Sequence, residues 1–223
     1  MLLELQHIAR MYGSRCVFKD VSFSVPAGSL TVLVGANGAG KSTLMHIMAG
    51  LARPSAGEVL HHVQPAEMAY LGHATFIYPA LTARENLRFW GAMYGVDVSD
   101  MALDTVLERV ELQAHAHERA AVFSRGMAQR LNVARVLLLE PRLLLLDEPA
   151  TGLDTASSHL LRREIVRARE RGAGIVWITH DVLTDAPLAD RLLALRDRRL
   201  AYDGEPTAYT DALEKAVADG GRP

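Results

Sequence analysis

Apolar and polar positions alternate at Leu3, Leu5 and His7, and again at Val21, Phe23 and Val25. This pattern predicts two strands, the second closed by Pro26-Ala27-Gly28. Residues 29–34 are mainly apolar with β-branched members, which predicts a buried strand. A glycine-rich loop follows, then a helix from about residue 41 to 49. Pro54-Ser55-Ala56-Gly57 is turn chemistry, and residues 58–63 and 68–72 read as strands. The period then changes. Thr82 and Glu85 fit a capping box, with Leu81 placed to staple onto the helix, and Leu87, Phe89, Trp90 and Met93 give that helix an apolar face. Residues 101–112 and 127–139 are two further helical patterns, so residues of about 75–140 form a mostly helical insertion. Strand–helix alternation then returns: strand 143–146, helix 155–171, strands 174–179 and 191–195, and residues 199–202 as a hairpin partner of the last strand. A helix is expected after Pro206, and residues 219–223 as a frayed tail.

Strands alternating with helices predict an α/β fold with a mainly parallel sheet. The length of 223 residues suits a single two-lobed domain, and 49% hydrophobic with 22% charged residues is an ordinary globular composition. The net charge of −2 offers no basic field, so nucleic acid is not an expected partner. Cys16 is the one cysteine and reads as a small, partly buried hydrophobe in a reducing compartment. The first residues carry Glu4 and Arg10 and are not a signal peptide. The most apolar stretch, residues 133–146, is broken by Arg135, Glu140, Pro141 and Arg142. A membrane helix needs about 20 mostly apolar residues, so the chain is not expected to cross a bilayer itself.

Gly35-Ala36-Asn37-Gly38-Ala39-Gly40-Lys41-Ser42 matches G-x-x-x-x-G-K-[ST] throughout, and Thr43 continues into the predicted helix. Glycines let consecutive backbone N–H groups face one anion, and the helix behind points its positive end at the same place. Lys41 supplies a charge for the β- and γ-phosphates of ATP, and Ser42 an oxygen ligand for Mg²⁺. Downstream, an all-leucine run ends in Asp147-Glu148. A carboxylate at such a strand end holds the metal in phosphate-loop NTPases, which suits Asp147. Glu148 then stands beside the γ-phosphate, placed to take a proton from the attacking water.

Taken together these segments resemble the ATP-binding cassette (ABC) ATPase family over nearly the whole chain. The resemblance makes residues 35–43 the Walker A loop, 143–147 Walker B and Glu148 the catalytic glutamate. Tyr12 falls where the family places an aromatic that stacks on adenine. Thr151-Gly152-Leu153-Asp154 resembles the D-loop, Thr179-His180-Asp181 carries the switch histidine His180, and Ser124-Arg125-Gly126 resembles the family signature, followed by Gln129-Arg130 and Ala134-Arg135. The fold it implies is a phosphate-loop NTPase core, an N-terminal antiparallel β subdomain and an inserted α-helical subdomain, the whole chain being one nucleotide-binding domain. It also implies a homodimer of such domains, packed head to tail. Ser124, Gly126 and Asp154 would then meet the nucleotide held by the partner copy. Integral membrane transporter subunits would be the further partners, with the chain peripheral on the cytoplasmic face of the inner (plasma) membrane.

Two positions depart from the family pattern. The signature reads Phe123-Ser124-Arg125-Gly126-Met127 where Leu-Ser-Gly-Gly-Gln is usual, a form similar to that of many bacterial exporters. His73 stands where a glutamine is usual, and it is left out of the metal set because imidazole is a poor Mg²⁺ ligand beside oxygen. The Gly72-His73 pair and Leu81-Thr82-x-x-Glu85-Asn86-Leu87 look like the ATPase subunit of the haem exporter of cytochrome c maturation. ATPases of drug, lipid or polysaccharide exporters share most of these features. A soluble family member acting on ribosomes or nucleic acid is a further alternative, but such proteins usually carry two cassettes or a long coiled-coil insertion. His61, His62, His115 and His117 follow no ligand spacing and read as solvated or locally hydrogen-bonded.

Overall fold

A computed structural model describes residues 1–72 and 75–211. The first three-stranded sheet is antiparallel, in the order β2-β1-β4, with β1 Leu3–Tyr12, β2 Arg15–Val25 and β4 Ala56–His61. The second sheet has six strands in the order β5-β6-β7-β3-β8-β9. These are β3 Leu30–Gly35, β5 Met68–Leu71, β6 Leu143–Asp147, β7 Gly174–Ile178, β8 Arg191–Arg196 and β9 Arg199–Gly204. All of its pairings are parallel except the β8–β9 hairpin. Helix α1, Lys41–Met48, follows β3. Helices α2 Ala83–Tyr94, α3 Asp100–Arg109 and α4 Arg125–Leu137 lie between β5 and β6 and make up the inserted helical part. Helix α5, Thr155–Glu170, and the single turn α6, Val182–Asp185, flank β7.

The first hairpin is longer than alternation predicts. His7 and Asp20 both take left-handed backbone, at φ 53° and 56°, and the register of β1 against β2 shifts beside them. Each irregularity resets the two-residue period, so pattern reading stops where the strand continues. The all-leucine β6 is buried throughout, yet its faces have different partners. Leu143 and Leu145 join the core that includes Leu44, Met45 and Met48 of α1. Leu144 and Leu146 join the core that includes Leu131 and Leu137 of α4 and Leu160 of α5. The capping box on α2 forms as expected: Thr82 Oγ1 accepts from the Glu85 amide, and Glu85 accepts from the Thr82 amide at 2.8 Å. The helix expected after Pro206 begins at residues 206–211; the rest of it, the tail 219–223 and His73 lie outside the described residues.

Candidate active site

The carboxyl ends of β3, β6 and β7 lie side by side, because β7 sits between the other two. In a parallel sheet this edge is where ligands bind. Strand β3 delivers the glycine loop there. Gly35, Gly38 and Gly40 all take positive φ, and Gly40 is also fixed by space: a Cβ would stand 2.7 Å from Val17 Cγ1 and 2.9 Å from Phe18 Cδ1. Lys41 is buried, and its ammonium donates to the carbonyls of Gly35 at 2.7 Å and Ala36 at 3.2 Å. Burial pushes its pKa down, while Glu148 and Asp147 oppose that shift.

Strand β6 brings Asp147 to the same edge, where Ser42 Oγ donates to its Oδ1 at 3.2 Å. The next residue, Glu148, turns the chain with φ 53°, a conformation a non-glycine residue adopts only under constraint. Its amide is held by the Ile178 carbonyl at 3.1 Å, and its carboxylate meets His180 Nε2 at 2.6 Å. His180 is positioned from behind. Thr179 Oγ1 donates to the fully buried Asp185 and accepts from the Asp181 amide, and Arg162 bonds both Asp185 and Asp181.

Lys41, Ser42 and Glu148 border a cavity of about 300 Å³, shared with Tyr12, Arg15, Asn37, Gly38, Gly40 and Thr43. His180 lies outside its lining and, with Glu148, borders a smaller cavity. Ala39 is partly buried and packs against the apolar core beside Gly35. Tyr12 is 53% exposed at the mouth, with the Arg10 guanidinium 4.4 Å from its ring centre.

Ser124, Gly126 and Asp154 come together elsewhere and do not line this cavity. Ser124 caps α4, accepting from the Met127 amide, which leaves its hydroxyl proton free to donate. Asp154 caps α5, accepting from the Ser157 amide at 2.7 Å, and that bond holds its carboxyl below the usual range. A Cβ on Gly126 would lie 3.5 Å from Asp154 Oδ2. Arg125 packs over Gly152, whose Cβ would stand 2.5 Å from the guanidinium carbon, so the arginine of the signature uses the bare face of a glycine.

Sequence reading missed Tyr70 and His46. Tyr70 Oη donates to Asp147 Oδ2 at 3.4 Å and meets His46 Nε2 at 3.0 Å. Burial pushes the phenol well above its usual range, and Asp147 adds to the shift. The available signals were weak: His46 lies four residues after Ser42, and Tyr70 is opposite Leu145 on the neighbouring strand. Of the histidines expected to be solvated or locally hydrogen-bonded, His61 meets the Met48 carbonyl at 2.7 Å and His62 meets Glu4 at 2.9 Å, while His115 Nδ1 lies 3.1 Å from Glu118 without hydrogen-bonding to it. No group of three or more His, Cys, Asp or Glu among the described residues would hold a metal by itself.

The family model described as "ABC transporter" matches residues 18–151. This chain belongs to the ABC transporter family. It is 35% identical to the aliphatic sulfonates import ATP-binding protein of Mycobacterium avium, over 97% of this chain and 90% of that one. It is 34% identical to the Nod factor export ATP-binding protein I of Rhizobium johnstonii, over 94% of this chain and 71% of that one. A solved structure titled "Structure of ATP binding subunit of ABC transporter" superposes with a TM-score of 0.87 at 29% identity, covering 96% of this chain and 94% of the other. This ABC ATP-binding subunit therefore has the mixed α/β architecture of the family and is an ATP hydrolase that works with membrane transporter components. No described helix is long and apolar enough to cross a membrane. Neither named relative is a haem exporter.

Proposed function

We propose that the whole chain is one nucleotide-binding unit that drives an exporter from the cytoplasmic face of the membrane. The observation that carries this is the convergence of Lys41, Ser42, Asp147, Glu148 and His180 at one sheet edge. In this reading Tyr12 stacks on the adenine. Asn37, Gly38, Ala39 and Gly40 present the loop amides to the phosphates, with Gly35 setting the loop's entry and Thr43 its exit. Lys41 neutralises the β- and γ-phosphates. Glu148 accepts a proton from the water that attacks the γ-phosphorus, and His180 holds that carboxylate in place. Ser42 and Asp147 are hard oxygen donors that fit Mg²⁺, which binds through one or two carboxylates plus substrate phosphates rather than in an all-protein cage. When bound, Mg²⁺ would neutralise charge on the phosphate oxygens.

Ser124, Gly126 and Asp154 serve the cavity of a second copy. A homodimer then completes two sites, and ATP closes it. The helical part between about residues 75 and 140 meets the membrane subunits. With a net charge of −2, nucleic acid is not a partner. Purification from detergent-solubilised membranes tests this: integral subunits should accompany the chain, and recovery with ribosomes alone would overturn it.

For the cargo, the reading we advance is haem export in cytochrome c biogenesis. It rests on Gly72-His73, on Leu81-Thr82 with Glu85-Asn86-Leu87, and on Ser124-Arg125-Gly126-Met127. A strain lacking this chain should have no covalently haem-loaded c-type cytochromes; normal maturation would refute the reading. The second reading, export of a drug, lipid or polysaccharide, is favoured by the likeness to a Nod factor export protein.

A further inference from the structure

Asp147 is held from both sides. Its Oδ1 accepts from Ser42, and its Oδ2 accepts from Tyr70, a residue outside every motif of the site. The arrangement follows from the scaffold. Ser42 and His46 are one helical turn apart on α1 and therefore share a face. Tyr70 on β5 is paired with Leu145 on β6, so it lies diagonally across from Asp147 on the same face of the sheet. Helix face and sheet face meet, and the chain Ser42–Asp147–Tyr70–His46 closes on α1. The imidazole and phenol rings pack edge to face, with centroids 5.5 Å apart and planes at 74°. Gly72 keeps room for this: a Cβ there would lie 2.4 Å from the Tyr70 hydroxyl.

Proton bookkeeping orients the chain. An ionised carboxylate only accepts, so the phenol must donate to Asp147. Its one proton is then spent, and the hydroxyl oxygen can only accept from His46. His46 must therefore carry its proton on Nε2. The direction is His46 Nε2–H to Tyr70 Oη, and Tyr70 O–H to Asp147 Oδ2.

We infer that Tyr70, oriented by His46, is a positioning residue that fixes the Asp147 carboxylate so that Oδ1 stays beside Ser42 for the divalent cation. This rests on the proposed metal role of Asp147 and Ser42. Outer-shell partners of metal ligands are worth about 10- to 100-fold in metal affinity, and one bond of 3.4 Å belongs at the low end.

The test uses the full chain with Mn²⁺ and ADP, reading free Mn²⁺ by electron paramagnetic resonance. Tyr70→Phe should weaken nucleotide-dependent Mn²⁺ binding by about tenfold. Binding of ADP in chelator, without metal, should be unchanged. His46→Leu should resemble Tyr70→Phe, whereas His46→Gln, which keeps an N–H donor, should restore most of the loss. A purely space-filling role predicts no difference between the leucine and glutamine variants. Mn²⁺ affinity of Tyr70→Phe equal to wild type would overturn the inference. Asp147→Asn separates the two readings. If it too leaves Mn²⁺ binding unchanged, the metal assignment itself falls; if it alone loses binding, only the positioning role falls.

Discussion

Glu148→Gln is the substitution on which the hydrolytic reading stands or falls. The side chain keeps its length, and its amide still reaches His180, now 2.6 Å from the carboxylate. What disappears is the ability to accept a proton from water. A positioned general base is worth roughly 10²- to 10⁴-fold, or about 3–5.5 kcal/mol of barrier. Nucleotide binding should survive. Glu148 is one of two carboxylates acting on Lys41, and removing its charge lessens repulsion toward phosphates in the cavity. Stability should barely move, for a reason peculiar to this residue. Its left-handed backbone, at φ 53°, is strained equally by Glu and Gln. Glu148→Gly offers the complementary control. It relieves about 1–2 kcal/mol of backbone strain. It loses one hydrogen bond of about 1 kcal/mol and adds about 0.5–1 kcal/mol of unfolded-chain entropy. The terms nearly cancel, so its melting temperature should stay within a few degrees of wild type, at about 2–4 °C per kcal/mol for a chain this long. Steady-state ATPase assays, binding of a fluorescent nucleotide and thermal unfolding check all three expectations. A Glu148→Gln protein that turns over within a few-fold of wild type would show that the base lies elsewhere.

Lys41→Ala should lose ATP binding or turnover with little change in fold, because among the described residues the buried ammonium donates only to loop carbonyls; unchanged ATPase activity would remove the phosphate-loop assignment. Gly91→Ala tests packing in the helical part. Alanine favours the helix by about 1 kcal/mol. However, its Cβ would stand 2.5 Å from the stiff Val98 side chain and 3.0 Å from Leu138. Overpacking of about 1–3 kcal/mol should win, and a raised melting temperature would contradict it. The Thr82 amide and hydroxyl hold Glu85 below the usual carboxylate range. An acid so lowered stabilises the fold above its unfolded value near 4.3, and the benefit fades as pH falls through the folded value. The gap in melting temperature between wild type and Glu85→Ala should therefore narrow from about pH 7 to about pH 4; a constant gap would refute the capping account.

The glycine loop and the strand end carrying Asp147 and Glu148 stood out in the sequence because each is marked by its immediate neighbours, whereas His180 was picked out only by the family resemblance. A strand ending in glycines, or a leucine run ending in two acids, needs no distant partner to be recognised. The fold class was legible from the change of period between strands and helices. Less local features were not. His7 and Asp20 adopt left-handed backbone that no residue pattern announces, so the first hairpin looked shorter than it is. Nothing in four consecutive leucines tells which face meets α1 and which meets α4 and α5. Tyr70, His46, Asp185 and Arg162 act through contacts across strands and helices, and only the assembled sheet makes them neighbours.

The separation of the two clusters is the feature on which the proposed second copy rests. Ser124 presents a hydroxyl proton at the exposed start of α4, where the helix's positive end suits an anion, and it does not line the cavity bordered by Lys41 and Glu148. It is nevertheless tied to the hydrolytic loop. Gln129, on the same helix, donates to the Pro149 carbonyl at 3.0 Å, directly after Glu148, and Arg125 lies over Gly152 in the same loop. A shift of α4 caused by phosphate contact at Ser124 would therefore pull on the segment carrying Glu148. The left-handed backbone of Glu148 is held by its surroundings and not by its own preference, so its position depends on what those surroundings do. On this view Arg125 gives the variant signature a second grip on the loop between Glu148 and Asp154. In the proposed dimer that grip would couple the end of α4 facing the partner's nucleotide to Glu148, the proposed base of its own site.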